Sequence, residues 1–129
     1  MDFNLKLGLR GHVEKIVEET DTAVAFGSGD IHVFATPMMV GIMENSALVC
    51  VDEILPKDYS TVGSHISVSH IAATPVGMKV TAEAELVEID NKKLVFKVVA
   101  FDEKEKIGEG SHTRYIVNVP KFLERTSKK

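Results

Sequence analysis

Hydrophobic and polar positions along the chain separate into one long helical stretch and a series of alternating ones. From Thr36 to Val51 nearly every residue is apolar or small, and between Pro37 and Val51 the only charge is Glu44. Thr36 followed by Pro37 predicts a helix start, because a Thr hydroxyl caps free N–H groups and proline suits the first helical position. The helix is expected to run to about Leu55, where Pro56 stops it, and so to be about 28 Å long. A helix apolar nearly all round is expected to be buried. A carboxylate inside it needs partners or a shifted pKa, which marks Glu44 as a candidate for chemistry. A structural ion pair is the plainer role for it.

The remaining pattern is mostly β. Residues 8–18 and 22–26 read as two strands joined by the acidic turn Glu18–Asp21, followed by a flexible Gly27-Ser28-Gly29-Asp30 loop. Everything after Tyr59 is strand-like. In Ser64 to Ile71, Ile66, Val68 and His70 share one face while His65, Ser67 and Ser69 share the other. Met78, Val80, Ala82, Ala84 and Leu86 form an apolar face opposed by Lys79, Thr81, Glu83 and Glu85. A turn at Asp90-Asn91 leads to a strand centred on Val95 to Phe101, and Glu103 to Lys106 turns into a third from Ile107 to Val119. Strands joined by such tight turns are antiparallel. One helix and one curved antiparallel sheet make an α+β domain, read here as a single unit over residues 1–129. The open sheet edge predicts pairing with a second copy, as a homodimer or a higher even oligomer.

Composition narrows the function. The chain has 129 residues, a net charge of −4 and one cysteine. An acidic balance without a basic, aromatic-bearing stripe argues against nucleic acid. A lone Cys50 forms no internal disulfide, which together with the absence of a leader or membrane-length apolar run predicts a cytoplasmic protein. Two candidate ligands, Glu44 and His70, are too few for a metal site, and a Gly-x-Ser-x-Gly elbow is absent. No metal or redox cofactor is expected.

Three motifs carry a family resemblance. Phe34-Ala35-Thr36 with Met39-Val40-Gly41-Ile42-Met43-Glu44, then Val68-Ser69-His70-Ile71-Ala72-Ala73-Thr74-Pro75-Val76-Gly77, then Gly108-Glu109-Gly110-Ser111-His112-Thr113-Arg114 resemble, in order and spacing, the fluoroacetyl-CoA thioesterase branch of the hot-dog fold. The likeness runs from about Val33 to Phe122. It implies a long helix wrapped by a curved antiparallel sheet, and hydrolysis of a short acyl-CoA to acid and coenzyme A, with CoA entering only as part of the substrate. It also implies a catalytic Thr, Glu and His at Thr36, Glu44 and His70, and pocket positions at Gly63 and Arg114. Backbone N–H groups near Gly41 are the expected donors to the thioester carbonyl. Each residue has a plainer role beside this: Thr36 as helix cap, His70 as a satisfied core histidine, Arg114 in a surface ion pair. Glu44 as nucleophile and Glu44 as general base stay equally open. The fluoroacetyl-specific members bear an aromatic lid just before the catalytic Thr, and Gly27 to His32 has no such aromatics. Strong fluoroacetyl selectivity is therefore not expected. A non-catalytic acyl-CoA-binding module on the same fold is the alternative. A hot-dog dehydratase lacks its Asp/His signature here.

Overall fold

The computed structural model describes residues 2–129. Five strands form one antiparallel sheet in the order β1-β3-β4-β5-β2. They are β1 (Arg10–Ile16), β2 (Tyr59–His70), β3 (Lys79–Asp90), β4 (Lys93–Phe101) and β5 (Lys106–Asn118). The helix α2 (Thr36–Asp52) lies across one face of the sheet, with a short α1 (Ala23–Phe26) before it and α3 (Val119–Ser127) at the end. This is the architecture expected from the sequence, a helix gripped by a curled antiparallel sheet.

The period-two pattern places the core. Val80, Ala82, Ala84 and Leu86 of β3 and Leu94, Phe96, Val98 and Ala100 of β4 all turn inward and are buried. Against them α2 presents Met39, Met43, Ala47 and Val51, four residues apart and each fully buried. Burial of each large side chain among these stabilises the fold by about 1.5–3 kcal/mol. Helix and sheet meet closely at Gly11, where a Cβ would come within 2.2 Å of the Ser46 carbonyl oxygen. Only glycine fits there.

Several boundaries differ from the sequence reading, each for a local reason. Residues 22–26 form no strand. The Thr22 hydroxyl accepts from the Ala25 amide, and Gly27 at φ 93° closes the turn in the left-handed region, so the segment becomes α1. The strand expected over 8–18 is confined to Arg10–Ile16. Helix α2 ends at Asp52, and residues 53–55 are a turn. Strand β2 begins at Tyr59, at the expected start of the strand-like pattern. The last residues are helical because Asn118 caps Lys121 and Pro120 sits in the first turn.

One correction bears on assembly. The helix α2 is buried only on the face toward the sheet. Gly41 and Asn45 are exposed and Val49 is 44% exposed, since one sheet covers one side of a helix. The opposite face remains apolar and uncovered in the single protomer.

Candidate active site

The sequence-derived site residues fall into two groups along β2, one where the strand ends at His70 and one around Gly63, seven residues before it. At one end, His70 closes the strand and meets the start of α2. Its Nδ1 lies 2.7 Å from the Thr36 hydroxyl. The second ring nitrogen, Nε2, is buried and has no hydrogen-bond partner among the described residues. Burial pushes the His70 pKa below its ordinary value, with the Ala72 backbone opposing in part. The ring is thus held neutral, with one nitrogen on a hydroxyl and one free. A cleft of about 370 Å³ opens beside this pair, lined by small and apolar residues that include Ala23, Val33, Ala72 and Ala73.

Thr36 does not cap the helix. Ala35 occupies the cap position with no side-chain bond, and Thr36 is the first helical residue. Its hydroxyl is therefore released from the backbone and given to His70. Both roles draw on the same oxygen, and the helix start one residue earlier decides between them.

At the other end of the site, Glu44 lies eight residues along α2, about 12 Å up its axis. Within one protomer Glu44 and His70 share no hydrogen bond. Glu44 instead lines a separate cleft of about 230 Å³ with Gly63, Ser64, His65, Ile66 and His112. Gly63 makes that cleft possible. A Cβ there would stand 3.0 Å from Glu44 Oε2, 3.1 Å from His112 Cε1 and 3.4 Å from Arg114 Nη1. Arg114 is no surface residue. It is 7% exposed and donates from Nε to the Thr61 hydroxyl at 2.7 Å and from Nη2 to the Thr61 carbonyl at 2.8 Å. Burial lowers the Arg114 pKa, and the Glu44 charge counteracts this.

A β-bulge aligns the two groups. The pairing of β2 with β5 slips between Gly63 and His65. An extra residue reverses the alternation of side chains, so Gly63 before the bulge and Ile66, Val68 and His70 after it all face the helix. Strict alternation over the strand would have put Gly63 and His70 on opposite faces.

The Gly41 amide is taken up inside the helix. Gly41 lies in the sixth helical position, so its N–H is spent in the helix's own hydrogen-bond ladder. The amides of Met38 and Met39 are likewise directed to the Ala35 carbonyl, each at 3.0 Å. No cluster of three or more His, Cys, Asp or Glu side chains able to hold a metal occurs among the described residues. No helix among them is long and apolar enough to cross a membrane.

The fluoroacetyl-CoA-specific thioesterase family (FlK) matches residues 17–120 of the chain. The chain belongs to this family. It is 37% identical over 97 residues to the fluoroacetyl-CoA thioesterase of Streptantibioticus cattleyicolor, spanning 75% of this chain and 70% of that one. The structure of the fluoroacetyl-CoA thioesterase FlK superposes with a TM-score of 0.92 at 30% identity, covering 98% of each chain. A phenylalanine-to-alanine mutant of FlK in complex with fluoroacetate and CoA superposes at 0.85, with 31% identity over 92% of this chain and 99% of that one. A thioesterase superfamily member from Thermus thermophilus, 24% identical and covering 95% and 91%, gives a TM-score of 0.88 and shares the hot-dog fold.

Proposed function

We propose that this acyl-CoA thioester hydrolase acts on short acyl-CoAs at sites shared between two copies of the chain. The carrying observation is the separation of the two groups: one protomer holds a Thr36–His70 pair where α2 starts and β2 ends and, apart from it, a cleft lined by Glu44, Gly63 and His112, with Arg114 buried beside Gly63. Strand β2 is a sheet edge. Residues Tyr59–His70 contain no Lys, Arg, Asp or Glu, whereas the opposite edge, β1, carries Arg10, Glu14 and Lys15. Charges block edge pairing, and their absence invites it. Antiparallel pairing of β2 with itself about a two-fold axis near Ile66 and Ser67 sets Gly63 opposite His70 of the partner subunit. Glu44 then reaches the Thr36–His70 pair it lacks at home, and the apolar outer face of α2 gains cover.

In this arrangement Glu44 acts on the thioester carbon, directly as nucleophile or by drawing a proton from water. In the water route the neutral His70 takes that proton through the nitrogen not engaged by Thr36 and gives it to the departing CoA sulfur. In the nucleophile route CoA departs as thiolate, a water then opens the acyl-Glu44 anhydride, and His70 carries that water's proton to the thiolate. Thr36 fixes the ring. Arg114, buried beside Gly63, adds a fixed positive charge at that end of the site, which favours charge developing on the carbonyl oxygen. CoA takes part only as the leaving group, and no metal or redox cofactor enters any step. The family's relatives named above are fluoroacetyl-CoA thioesterases. Here the cleft beside Thr36 is flanked by the loop 27–32, which has no Phe, Tyr or Trp, and we assign it unselective short acyl groups.

Mixing two inactive variants tests the shared site. Glu44→Gln and His70→Ala, each inactive alone, are refolded together. Random pairing restores one intact site in half of the dimers, about a quarter of wild-type activity. A mixture that stays inactive overturns the shared site, while activity in Glu44→Gln alone overturns the role of Glu44.

A further inference from the structure

His112 belongs to none of the roles above, yet its surroundings fix its chemical state. It lies on β5, 1% exposed, between a carbonyl and a guanidinium. Its Nδ1 is 2.7 Å from the His65 carbonyl oxygen, which can only accept, so Nδ1 carries the proton. Its Nε2 is 3.2 Å from Arg114 Nη1, which can only donate, so Nε2 offers a lone pair. Both bonds require the neutral ring in a single tautomer. A second proton would set N–H against N–H beside a fixed cation. The groups facing the ring are Glu44 from α2, His65 from β2 and Arg114 on its own strand. Its neighbour on β4, Phe96, is uncharged.

Arg114 is thereby held at three points. Thr61 takes Nε and Nη2, and His112 takes Nη1. Nη1 is also the guanidinium nitrogen that borders Gly63, across from the Glu44 carboxylate. The two contact distances at Gly63 put Glu44 Oε2 and Arg114 Nη1 no more than about 6.4 Å apart, and the Glu44 charge is felt at the guanidinium. We propose that His112 is a positioning residue for hydrolysis: its Nε2 lone pair fixes the Nη1 end of Arg114 and so sets the cation against which Glu44 works. This rests on Glu44 being the catalytic carboxylate.

Two amides separate that role from simple core filling. In His112→Gln the amide reaches the place of Nε2 and can accept from Arg114. In His112→Asn it reaches only the place of Nδ1 and serves His65. Thiol release from acetyl-CoA is measured for both, with thermal unfolding to compare their stability. His112→Asn is expected to lower kcat roughly 10- to 100-fold, the scale of a misplaced catalytic group, with KM within about threefold of wild type. His112→Gln is expected to recover most of the loss. In an Arg114→Lys background, where the fork that His112 holds is gone, His112→Asn should cost little further. Equal kcat for Gln and Asn, or the same loss in both backgrounds, overturns the proposal. If neither variant folds, imidazole 15N resonances of the wild-type protein report the tautomer of His112: a proton on Nδ1 with Nε2 free to accept supports the proposal, and a proton on Nε2 overturns it. Glu44→Gln separates the failures: if it is inactive while Gln and Asn at 112 match, only the role of His112 falls.

Discussion

The two ends of the site along strand β2 are built in opposite ways. Around Gly63 the polar groups are locked: Arg114 makes three hydrogen bonds, His112 makes two, and both are almost fully buried. Around His70 they are left open, with Thr36 exposed, one ring nitrogen unpartnered, and a wide cleft beside them. A buried, fully satisfied network holds charge at a fixed place. A histidine whose second, buried nitrogen has no partner within the protomer keeps that nitrogen free to accept and release a proton. The contrast teaches which end supplies a fixed electrostatic frame and which handles protons, and the largest expected effects come from the carboxylate that links them.

Glu44→Gln keeps size and hydrogen-bonding capacity while removing the charge. It is expected to lower kcat at least ~100-fold, the scale for loss of an acid/base group, with circular dichroism unchanged. Turnover like that of wild type would leave Glu44 a structural residue and dissolve the contrast. Gly63→Ala strikes the locked end next. Its methyl group would press the Glu44 carboxylate, His112 and Arg114 at 3.0–3.4 Å, and activity is expected to fall roughly 10-fold or more from the displacement.

Thr36 sharpens the open end. A capping threonine changed to alanine costs about 1 kcal/mol of stability. Because Ala35 is the cap, Thr36→Ala is expected to leave the unfolding temperature nearly unchanged while lowering kcat roughly 10-fold. Thr36→Ser should retain activity. A lower unfolding temperature with unchanged kcat would return Thr36 to the helix cap.

The acid response bears on both ends together. Burial lowers the pKa of His70 and of His112 below the ordinary 6.5. The unfolded chain therefore binds more protons than the native one as pH drops below that value. Stability from the neutral rings is fully present above about pH 6.5 and is lost as pH falls through the lowered native values. Denaturant titrations on either side of that value, at about pH 7.5 and about pH 5, check this. His112→Gln should flatten part of the slope, and an identical slope would deny His112 a share in it.

These features were legible in the sequence to different degrees. The core stripe of α2, the inward faces of β3 and β4, and the hairpin at Asn91 follow from periodicity and turn chemistry, which act over a few residues. Glu44 stood out because a lone charge in an apolar run is costly. The cap shift at Thr36 was hidden, since Ala35 and Thr36 differ by one residue and the Thr-Pro pair suits either start. The bulge at Gly63 and His65 was hidden for a similar reason: a strand's own pattern does not say where its neighbour slips. Arg114 and His112 share a strand face in the sequence, but their burial depends on Thr61 and the His65 carbonyl from another strand. The helical 23–26 and 119–127 escape a sequence reading because Thr22 and Asn118 are short caps before segments too brief for periodicity to show.

Acyl selectivity is the smallest expected effect and falls wholly on the open end. The loop between α1 and Thr36 has no Phe, Tyr or Trp over Gly27 to His32, and Phe26, which closes α1 just before it, is 54% exposed. The cleft beside Thr36 and His70 is lined by Ala23, Ala72 and Ala73 alongside Phe34 and Ile71, and no aromatic side chain of the 27–32 loop is there to close over it. Contacts differing by an atom or a methylene are worth only ~1–3 kcal/mol even in a well-formed pocket. The kcat/KM values for acetyl-, fluoroacetyl- and propionyl-CoA are accordingly expected to lie within about 100-fold of one another. Malonyl-CoA should be the poorest substrate, since no Lys or Arg lines that cleft. Side-by-side thiol-release assays decide it. A preference for fluoroacetyl- over acetyl-CoA beyond about 10⁴-fold exceeds what such contacts supply. It would mean that Phe26 or Ile31 folds over the acyl group on binding, and that the open end closes when it works.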